Sequence, residues 1–251
     1  MSDTVERFSN RVANYVKYRP GYPPEMVPFF RSAMGLRPVS VIADIGSGTG
    51  LSAKPFLENG NTVYGVEPNA AMRAAAEEYL AAYPNFRSID GTSENTTLPD
   101  ASMDFVIAAQ AFHWFRPEET RREFKRILKP EGHAALIWNE RQLDSTEFLR
   151  EYEKLLLKYA TDYTQVRHEK VNEEMLAGFF QTPFRRVTFP NVQEFDFDGL
   201  KGRMASSSYM PSESDAAFGP LAEELQTLFA KHAENDKIKV FYDTNIFYCQ
   251  L

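Results

Sequence analysis

Val41-Ile42-Ala43-Asp44-Ile45-Gly46-Ser47-Gly48-Thr49-Gly50 is the most informative segment of this 251-residue chain. Its first half is short, apolar and rich in β-branched residues, which predicts a buried parallel strand. Its second half is a glycine turn, where the backbone can bend tightly and approach a ligand closely. A helix that follows such a turn offers free N–H groups to the ligand. The segment therefore predicts a strand, a binding turn and a helix.

Strands and helices alternate on both sides of this turn, over residues 39–139. Apolar runs predict strands over 39–45, 62–66, 86–89, 104–109 and 132–138, and helices over 24–34, 51–59, 69–83 and 117–129. This alternation is typical of the α/β class with a mainly parallel sheet. After residue 139 the pattern predicts helices over 146–159, 172–180 and 220–232, and strands over 184–197 and 239–251. Pro190-Asn191 is predicted to interrupt the first of these strands.

The composition excludes several classes of protein. A formal charge of −7 disfavours binding to nucleic acid or to an anionic membrane surface, because such binding depends on basic patches. Cys249 is the single cysteine, and the four histidines are scattered, so we expect neither a disulfide framework nor a metal site. No apolar run approaches the length of a membrane span, and the N-terminus lacks a secretory h-region. We therefore expect a cytoplasmic protein.

An acidic residue at the end of the second predicted strand narrows the choice of ligand for the glycine turn. Glu67 lies 21 positions after Gly46, and about 20 is the spacing that places a carboxylate on a ribose diol. A dinucleotide fingerprint would require a third glycine where Leu51 stands. Asp44, just before the turn, suits a cationic ammonium group better than a pyrophosphate. The pattern favours S-adenosylmethionine (SAM) over NAD, and a tight turn that binds nothing is the alternative.

Four ordered motifs resemble those of the class I SAM-dependent methyltransferases of the type-11 group. Residues 41–50 resemble the first motif and residues 63–68 the second. Residues 91–94 with 98–104 are similar to the adenine loop and the entry to strand four, and residues 128–133 to the turn before strand five.

The flanking segments resemble a narrower subgroup, which contains small-molecule methyltransferases of the trans-aconitate type. These segments are residues 8–23, 110–115, 138–141 and 206–211.

The resemblance implies an α/β fold with a Rossmann-like, mostly parallel sheet of seven strands. The implied strand order is 3-2-1-4-5-7-6 with the last strand antiparallel, helices on both faces and a helical cap. It implies one methyltransferase domain over residues 1–251: a lid (1–38), a SAM-binding core (39–139), a cap of helices and a strand (140–237) and a closing strand (238–251).

The resemblance also assigns cofactor contacts. Gly46, Ser47 and Gly48 would line the methionine end of SAM, with Asp44 near its ammonium group. Glu67 and the adjoining Pro68 would lie at the ribose. The remaining contacts would be Met72, Thr92 and Ser93 at the adenine, Gln110 facing the sulfonium, and Tyr18 and Arg19 closing from the lid. Many relatives carry an acidic residue where Thr92 stands.

His113 is the candidate catalytic base, because it follows strand four at the edge where open α/β sheets bind ligands and an ordinary histidine pKa is about 6.5. A histidine held in the structure beside Trp114 is the equal alternative. Trp114 and Trp138 are candidate walls of an acceptor pocket, or core residues. Arg141 is a candidate partner of an acidic acceptor, or one half of a surface salt bridge.

We therefore predict an enzyme that transfers methyl from SAM to a small-molecule acceptor, by O-methylation, with S-adenosylhomocysteine as product. A non-catalytic SAM-binding protein and a methyltransferase of macromolecules are the alternatives. An NAD-dependent reductase is disfavoured by Leu51 and by the lack of a Tyr-x-x-x-Lys pair near strand five. The chain is expected to act as a monomer or homodimer, without nucleic acid, membrane or metal.

Overall fold

A seven-stranded sheet carries the chain, in the order β3-β2-β1-β4-β5-β7-β6. The computed structural model describes residues 18–160, 172–207, 209–212 and 214–251. The strands are β1 (Val41–Ile45), β2 (Thr62–Val66), β3 (Phe86–Ile89), β4 (Met103–Ala109), β5 (Leu128–Arg141), β6 (Arg185–Phe195) and β7 (Ile238–Gln250). The first five strands are parallel, and β7 runs antiparallel to both β5 and β6. The predicted class, order and antiparallel closing strand are confirmed.

Eight α-helices accompany these strands within the described ranges. They are α1 (Met26–Met34), α2 (Ala53–Glu58), α3 (Ala70–Tyr79), α4 (Pro117–Ile127), α5 (Glu147–Tyr159), α6 (Glu173–Phe180), α7 (Phe197–Ala205) and α8 (Phe218–His232). Four of them begin at a side chain that accepts a hydrogen bond from a backbone N–H of the first turn. These N-caps are Asn69, Thr146, Asn172 and Asp196.

Two local expectations were wrong, and one helix was missed. The strand predicted over 184–197 is β6, and α7, which begins after the N-cap Asp196, was not predicted. Pro190 does not interrupt β6, because β6 pairs with β7 alone and an edge strand tolerates a missing N–H. The helix predicted to reach Lys129 ends at Ile127, and β5 begins at Leu128. Pro130 accounts for this early end, since the residue before a proline avoids the helical region.

Two apolar clusters cover opposite faces of the sheet. Along β5 the residues alternate between them, with Leu136 and Trp138 in one cluster and Ala135 and Ile137 in the other. Successive side chains of a strand point to opposite faces, so this alternation accounts for a sheet buried on both sides. None of the helices in the described part of the chain is long and apolar enough to cross a membrane.

A third apolar cluster joins α5, α7 and α8, which we call the cap. β6 and β7 continue beyond the end of β5, since Arg141 pairs with Tyr242 while the paired strands reach Phe195 and Ile238. Phe195, Ile238 and Tyr242 belong to the cap cluster. The cap therefore lies at the carboxyl edge of the parallel strands.

Candidate active site

The glycine turn after β1 is hydrogen-bonded to the end of β2. The backbone N–H groups of Gly46 and Ser47 donate to the carbonyl of Val66 at 2.8 and 3.2 Å. Gly46 has φ +69°, and a Cβ there would lie 2.6 Å from the Cβ of Ala111. Both the backbone conformation and the close approach therefore require glycine at this position.

The carboxylate of Glu67 is hydrogen-bonded to this turn. Its Oε2 accepts from the N–H of Gly48 at 3.0 Å, and its Oε1 accepts from the N–H of Asn69 at 2.9 Å. Burial raises the pKa of the Glu67 carboxyl, and the two N–H groups oppose that rise. A Cβ built on Gly48 would meet nothing within 4 Å, so the turn faces open space beside the carboxylate.

Asp44 is fully buried at the end of β1. Its Oδ2 accepts from the Ser52 hydroxyl at 2.6 Å, whereas its Oδ1 has no hydrogen-bond partner among the described residues. Burial raises the pKa of Asp44 to about 7, and the nearby charge of Glu67 adds to the rise while the Ser52 hydrogen bond opposes it. A buried carboxylate oxygen in this state fits a cationic ligand group such as an ammonium.

The loops expected to face an adenine lie beside α3. Met72 is buried on α3. The Thr92 hydroxyl accepts from the N–H of Asn95 at 3.2 Å, and the Ser93 hydroxyl accepts from the Thr120 hydroxyl at 3.1 Å. Each of the two hydroxyl oxygens therefore already accepts one hydrogen bond within the protein, and the predicted adenine contacts of Thr92 and Ser93 stay predictions.

Arg73 is a residue of this region that sequence reasoning missed. Its guanidinium donates to the carbonyl of Glu67 at 2.7 Å and makes a bidentate pair with Asp90 at 3.1 and 3.0 Å. It therefore ties the ends of β2 and β3 together behind the acidic residue. Arg73 and Asp90 are 17 residues apart, on α3 and in the loop after β3, so no local sequence pattern marked this pair.

Gln110 ends β4 in a left-handed conformation, with φ +57°. A non-glycine residue in this region is uncommon and signals a constrained position. Its Nε2 donates to the carbonyl of Asn139 at 3.0 Å, and its buried Oε1 has no partner within the described ranges. An acceptor oxygen is thus held at the carboxyl edge, beside the turn.

The predicted lid (1–38) is described from residue 18 onward, so residues 8–17 of the flanking segment 8–23 lie outside the described residues. Arg19 donates to the carbonyl of Ser206 at 3.0 Å, and Gln193 donates to the carbonyl of Tyr18 at 3.3 Å. The ring of Tyr18 packs on Gly202, where a Cβ would clash with it. These contacts hold the lid segment against the cap.

His113 and Trp114 form a short 3-10 helix just after β4. Their ring centroids are 4.7 Å apart, and His113 is half-buried. Trp114 is 43% exposed, which places its ring at the surface of the carboxyl edge.

The two acceptor-pocket candidates on β5 are enclosed by protein. Trp138 is 2% exposed and packs on Phe112 and Phe247 in the core. Arg141 pairs with Glu153 and lies over the ring of Tyr152, 5.2 Å from its centroid. Both side chains of the ion pair are about nine-tenths buried, so it is not the surface pair weighed as the alternative. This packing favours a structural role for both residues, and their acceptor contacts stay predictions.

Comparison with known proteins agrees with this geometry. A family model described as a methyltransferase domain matches residues 43–136. An uncharacterized methyltransferase-like protein of Schizosaccharomyces pombe is 27% identical over 97% of this chain and 94% of its own length. An uncharacterized methyltransferase of Mycobacterium bovis is 36% identical over 53% of this chain and 52% of its own length.

A solved structure extends the comparison to the fold. A candidate type II methyltransferase from Anaeromyxobacter dehalogenans superposes with a TM-score of 0.68 at 20% identity, over 93% of this chain and 98% of the other. Family match, full-length relative and strand order all point the same way. Together these findings support a class I SAM-dependent methyltransferase of the type-11 group.

Proposed function

We propose that the turn after β1 holds SAM, with the ammonium group at Asp44 and the ribose hydroxyls at Glu67. One observation carries this proposal. The N–H of Gly48, whose Cα faces open space, donates to Oε2 of Glu67 at 3.0 Å, and the same glycine turn follows Asp44, whose Oδ1 has no hydrogen-bond partner among the described residues. Backbone N–H groups use one position on each Glu67 oxygen, and a carboxylate has about four such positions. The rest can accept hydrogen bonds from a diol.

We infer further that the acceptor is a small molecule methylated at oxygen. When bound, SAM supplies a methyl group on a sulfonium, which is transferred by in-line displacement. The cap covers the carboxyl edge and would shield a small acceptor there from water. Aligning the two reactants in such a site can lower the barrier by on the order of 7–11 kcal/mol.

Two residues at the end of β4 are assigned roles in this reaction. Gln110 would place its Oε1 toward the reacting methyl, since its Nε2 is held by the carbonyl of Asn139. His113 would take the proton from the acceptor hydroxyl at an imidazole nitrogen, a contribution of about 10²–10⁴-fold in rate. Its position directly after β4 supports this role.

Calorimetry with S-adenosylhomocysteine tests the cofactor site. The wild-type protein is expected to bind it, and Glu67→Gln and Asp44→Asn are each expected to weaken binding at least about tenfold. Asp104→Asn is the matched control, because Asp104 lies at the opposite end of β4. NAD⁺ serves as the competing ligand. No heat from S-adenosylhomocysteine, under conditions in which the protein is folded, would refute the proposal, whether or not NAD⁺ binds.

A screen with methyl-labelled SAM then tests the acceptor. The panel contains carboxylic acids, phenols and amines, with a bulk RNA and a protein extract as macromolecular acceptors. Label transferred to an oxygen of a small molecule supports the proposal. Transfer only to a macromolecule, or binding without any transfer, assigns the chain to one of the two alternative functions.

A further inference from the structure

Arg203 is a buried cation in the cap. It lies on α7 and is only 9% exposed. Its Nε donates to the hydroxyl of Tyr242 at 3.2 Å, and its Nη1 donates to the hydroxyl of Ser207 at 3.1 Å. Both partners are neutral. Within the described residues, no carboxylate lies at ion-pair distance from this guanidinium.

The groups around Arg203 do not offset its charge. The ionisable neighbours that act on it are the phenols of Tyr152, Tyr209 and Tyr242. Burial raises the pKa of Tyr152 well above its ordinary value, so this phenol stays neutral. A guanidinium does not lose its proton in a protein. The ligand-free cap therefore holds a positive charge that its described surroundings leave uncompensated.

Such an arrangement is costly, and proteins rarely keep it without a use. Moving a charge out of water costs several kcal/mol unless an opposite charge and hydrogen bonds replace the water. Arg141, which also acts on the Tyr152 phenol, shows the usual solution, since Glu153 pairs with it. Only two of the five N–H donors of Arg203 are used by described partners, which leaves a fork suited to a bidentate oxyanion.

Arg203 also lies at the carboxyl edge of the parallel strands, the edge that carries the proposed cofactor site. Its partner Tyr242 pairs with Arg141 at the end of β5, two residues beyond Asn139, whose carbonyl holds Gln110. One turn after Arg203, the carbonyl of Ser206 accepts the hydrogen bond from Arg19 of the lid. The guanidinium thus lies in the cap at the carboxyl edge of the sheet, close in the chain to the residue that the N-terminal segment contacts.

We propose that Arg203 binds an anionic oxygen group of the methyl acceptor, a carboxylate or a phosphate. Tyr242 and Ser207 act as positioning residues, because their hydroxyls fix the plane of the guanidinium and leave its remaining donors for the ligand. The assignment rests on the proposed methyl transfer, of which it specifies the acceptor class. Arg141, for which the sequence left an acceptor contact and a salt bridge open as equal alternatives, is already neutralised by Glu153.

The test uses succinate, inorganic phosphate and the uncharged succinamide as probes of the full chain. Calorimetry is performed at constant ionic strength, with and without S-adenosylhomocysteine. Wild type is expected to bind succinate or phosphate at about 10 mM or below, and not succinamide. Arg203→Met is expected to lose that binding at least about tenfold, and Arg203→Lys to recover part of it. Arg185→Met, at the exposed start of β6, is the matched control and should bind like wild type.

Thermal unfolding separates a binding role from a structural one. If Arg203 serves a ligand, Arg203→Met unfolds at or above the wild-type temperature, because a methionine removes an uncompensated buried charge. If Arg203 is structural, the variant unfolds at a lower temperature and the probes do not bind through it.

Three results would overturn the proposal. One is that neither anion binds the wild-type protein, whatever the stability of the variant. Another is equal anion binding by wild type and Arg203→Met. The third is a loss of S-adenosylhomocysteine affinity in Arg203→Met of about tenfold or more, which would assign the guanidinium to the carboxylate of the cofactor. These results differ from the result that would refute the proposed function. That result is the absence of any S-adenosylhomocysteine binding by the wild-type protein.

Discussion

The backbone carbonyl of Asn139 accepts a hydrogen bond from Nε2 of Gln110 at 3.0 Å, which joins the carboxyl ends of β4 and β5. The side chain of the same asparagine reaches in two other directions. Its Nδ2 donates to the carbonyl of Gly21 in the lid at 3.0 Å, and its Oδ1 accepts from the Thr244 hydroxyl on β7 at 2.6 Å. Asn139 therefore links the lid, the residue assigned to face the reacting methyl, and the closing strand.

Asn139→Ala is expected to lower the free energy of unfolding by about 2–4 kcal/mol. The substitution leaves the buried Thr244 hydroxyl without its acceptor and the Gly21 carbonyl without its buried donor. Chemical denaturation measures the change. Asn191→Ala is the control: Asn191 also donates to the carbonyl of Gly21, at 2.8 Å, but it is only half-buried, so its loss should cost under about 1 kcal/mol. Equal costs for the two variants would contradict this assignment.

Gly46 and Gly48 are expected to respond differently to alanine. At Gly46 the new methyl meets Ala111 at 2.6 Å and the backbone has φ +69°, so Gly46→Ala should destabilise the protein by more than about 3 kcal/mol. At Gly48 the methyl meets nothing, and the cost should be limited to the backbone term of about 1–2 kcal/mol.

Gly48→Ala, the less destabilised of these two variants, is nevertheless expected to lose ligand binding. Gly48→Ala should fold and yet lose S-adenosylhomocysteine binding, because its methyl enters the open space beside Glu67. Calorimetry on the folded variant checks this. Wild-type affinity in Gly48→Ala would show that the ligand does not lie against the turn.

The affinity for S-adenosylhomocysteine is expected to fall as the pH is lowered from 8 to 6. The pKa of Asp44 is about 7 in the ligand-free protein, and the carboxylate is the form that attracts an ammonium. Below this pKa a proton must leave on binding, so the dissociation constant should rise by up to tenfold per pH unit. Calorimetry at several pH values measures the slope.

Asp44→Asn should bind weakly and with little pH dependence, whereas Asp104→Asn should keep the wild-type slope. This comparison also separates Asp44 from Glu67, whose pKa is raised by burial as well. The same shift has a consequence for folding. Because the folded pKa of Asp44 lies above its unfolded value of 3.8, its contribution to stability is present at low pH and is lost as the pH rises through 7.

Arg141 and Glu153 should behave as one structural unit. Removing either partner leaves the other charge in a site that is about nine-tenths buried, so Arg141→Met and Glu153→Gln should each lower the free energy of unfolding by about 3 kcal/mol. The double variant should cost less than the two single changes together. Additive costs, with an increase in acceptor KM for Arg141→Met, would instead support the acceptor contact predicted from the sequence.

His113→Ala should lower kcat with the acceptor found in the screen by about 10²–10⁴-fold, with little change in S-adenosylhomocysteine affinity. The reason is that a general base acts on the acceptor proton rather than on the cofactor. Trp114→Phe is the control for the ring contact between the two residues, and it should keep most of the activity. Unchanged turnover in His113→Ala would leave the histidine with a structural role.

Local sequence patterns were sufficient for the first four strands of the sheet. β2 and β3 have the predicted bounds, and β1 and β4 differ from them by two residues or fewer at each end. Such strands are buried on both faces, so their apolar runs and glycine turns are visible along the chain. The positions of Asp44, Gly46 and Glu67 followed from the same pattern, because the turn and the end of the next strand are close in sequence.

The structure of the cap depends on tertiary contacts and could not be predicted from local sequence patterns. α7 contains Gly199 and Gly202, which weaken its helical signal, and it is stabilised by Leu200 and Met204 in the cap cluster. For the same reason the sequence analysis named Arg141 as a candidate acceptor contact and did not single out Arg203. Both arginines are buried, and only the folded chain brings Glu153 to one of them and tyrosines to the other.

The sequence by itself thus determined the α/β class and the residues around the glycine turn, since these depend on neighbours along one βαβ unit. The order of the seven strands was implied by the family resemblance and is confirmed by the structure. Tertiary structure alone decided which buried charge is compensated. That choice depends on side chains from strands and helices distant in sequence, whose separations no local pattern encodes.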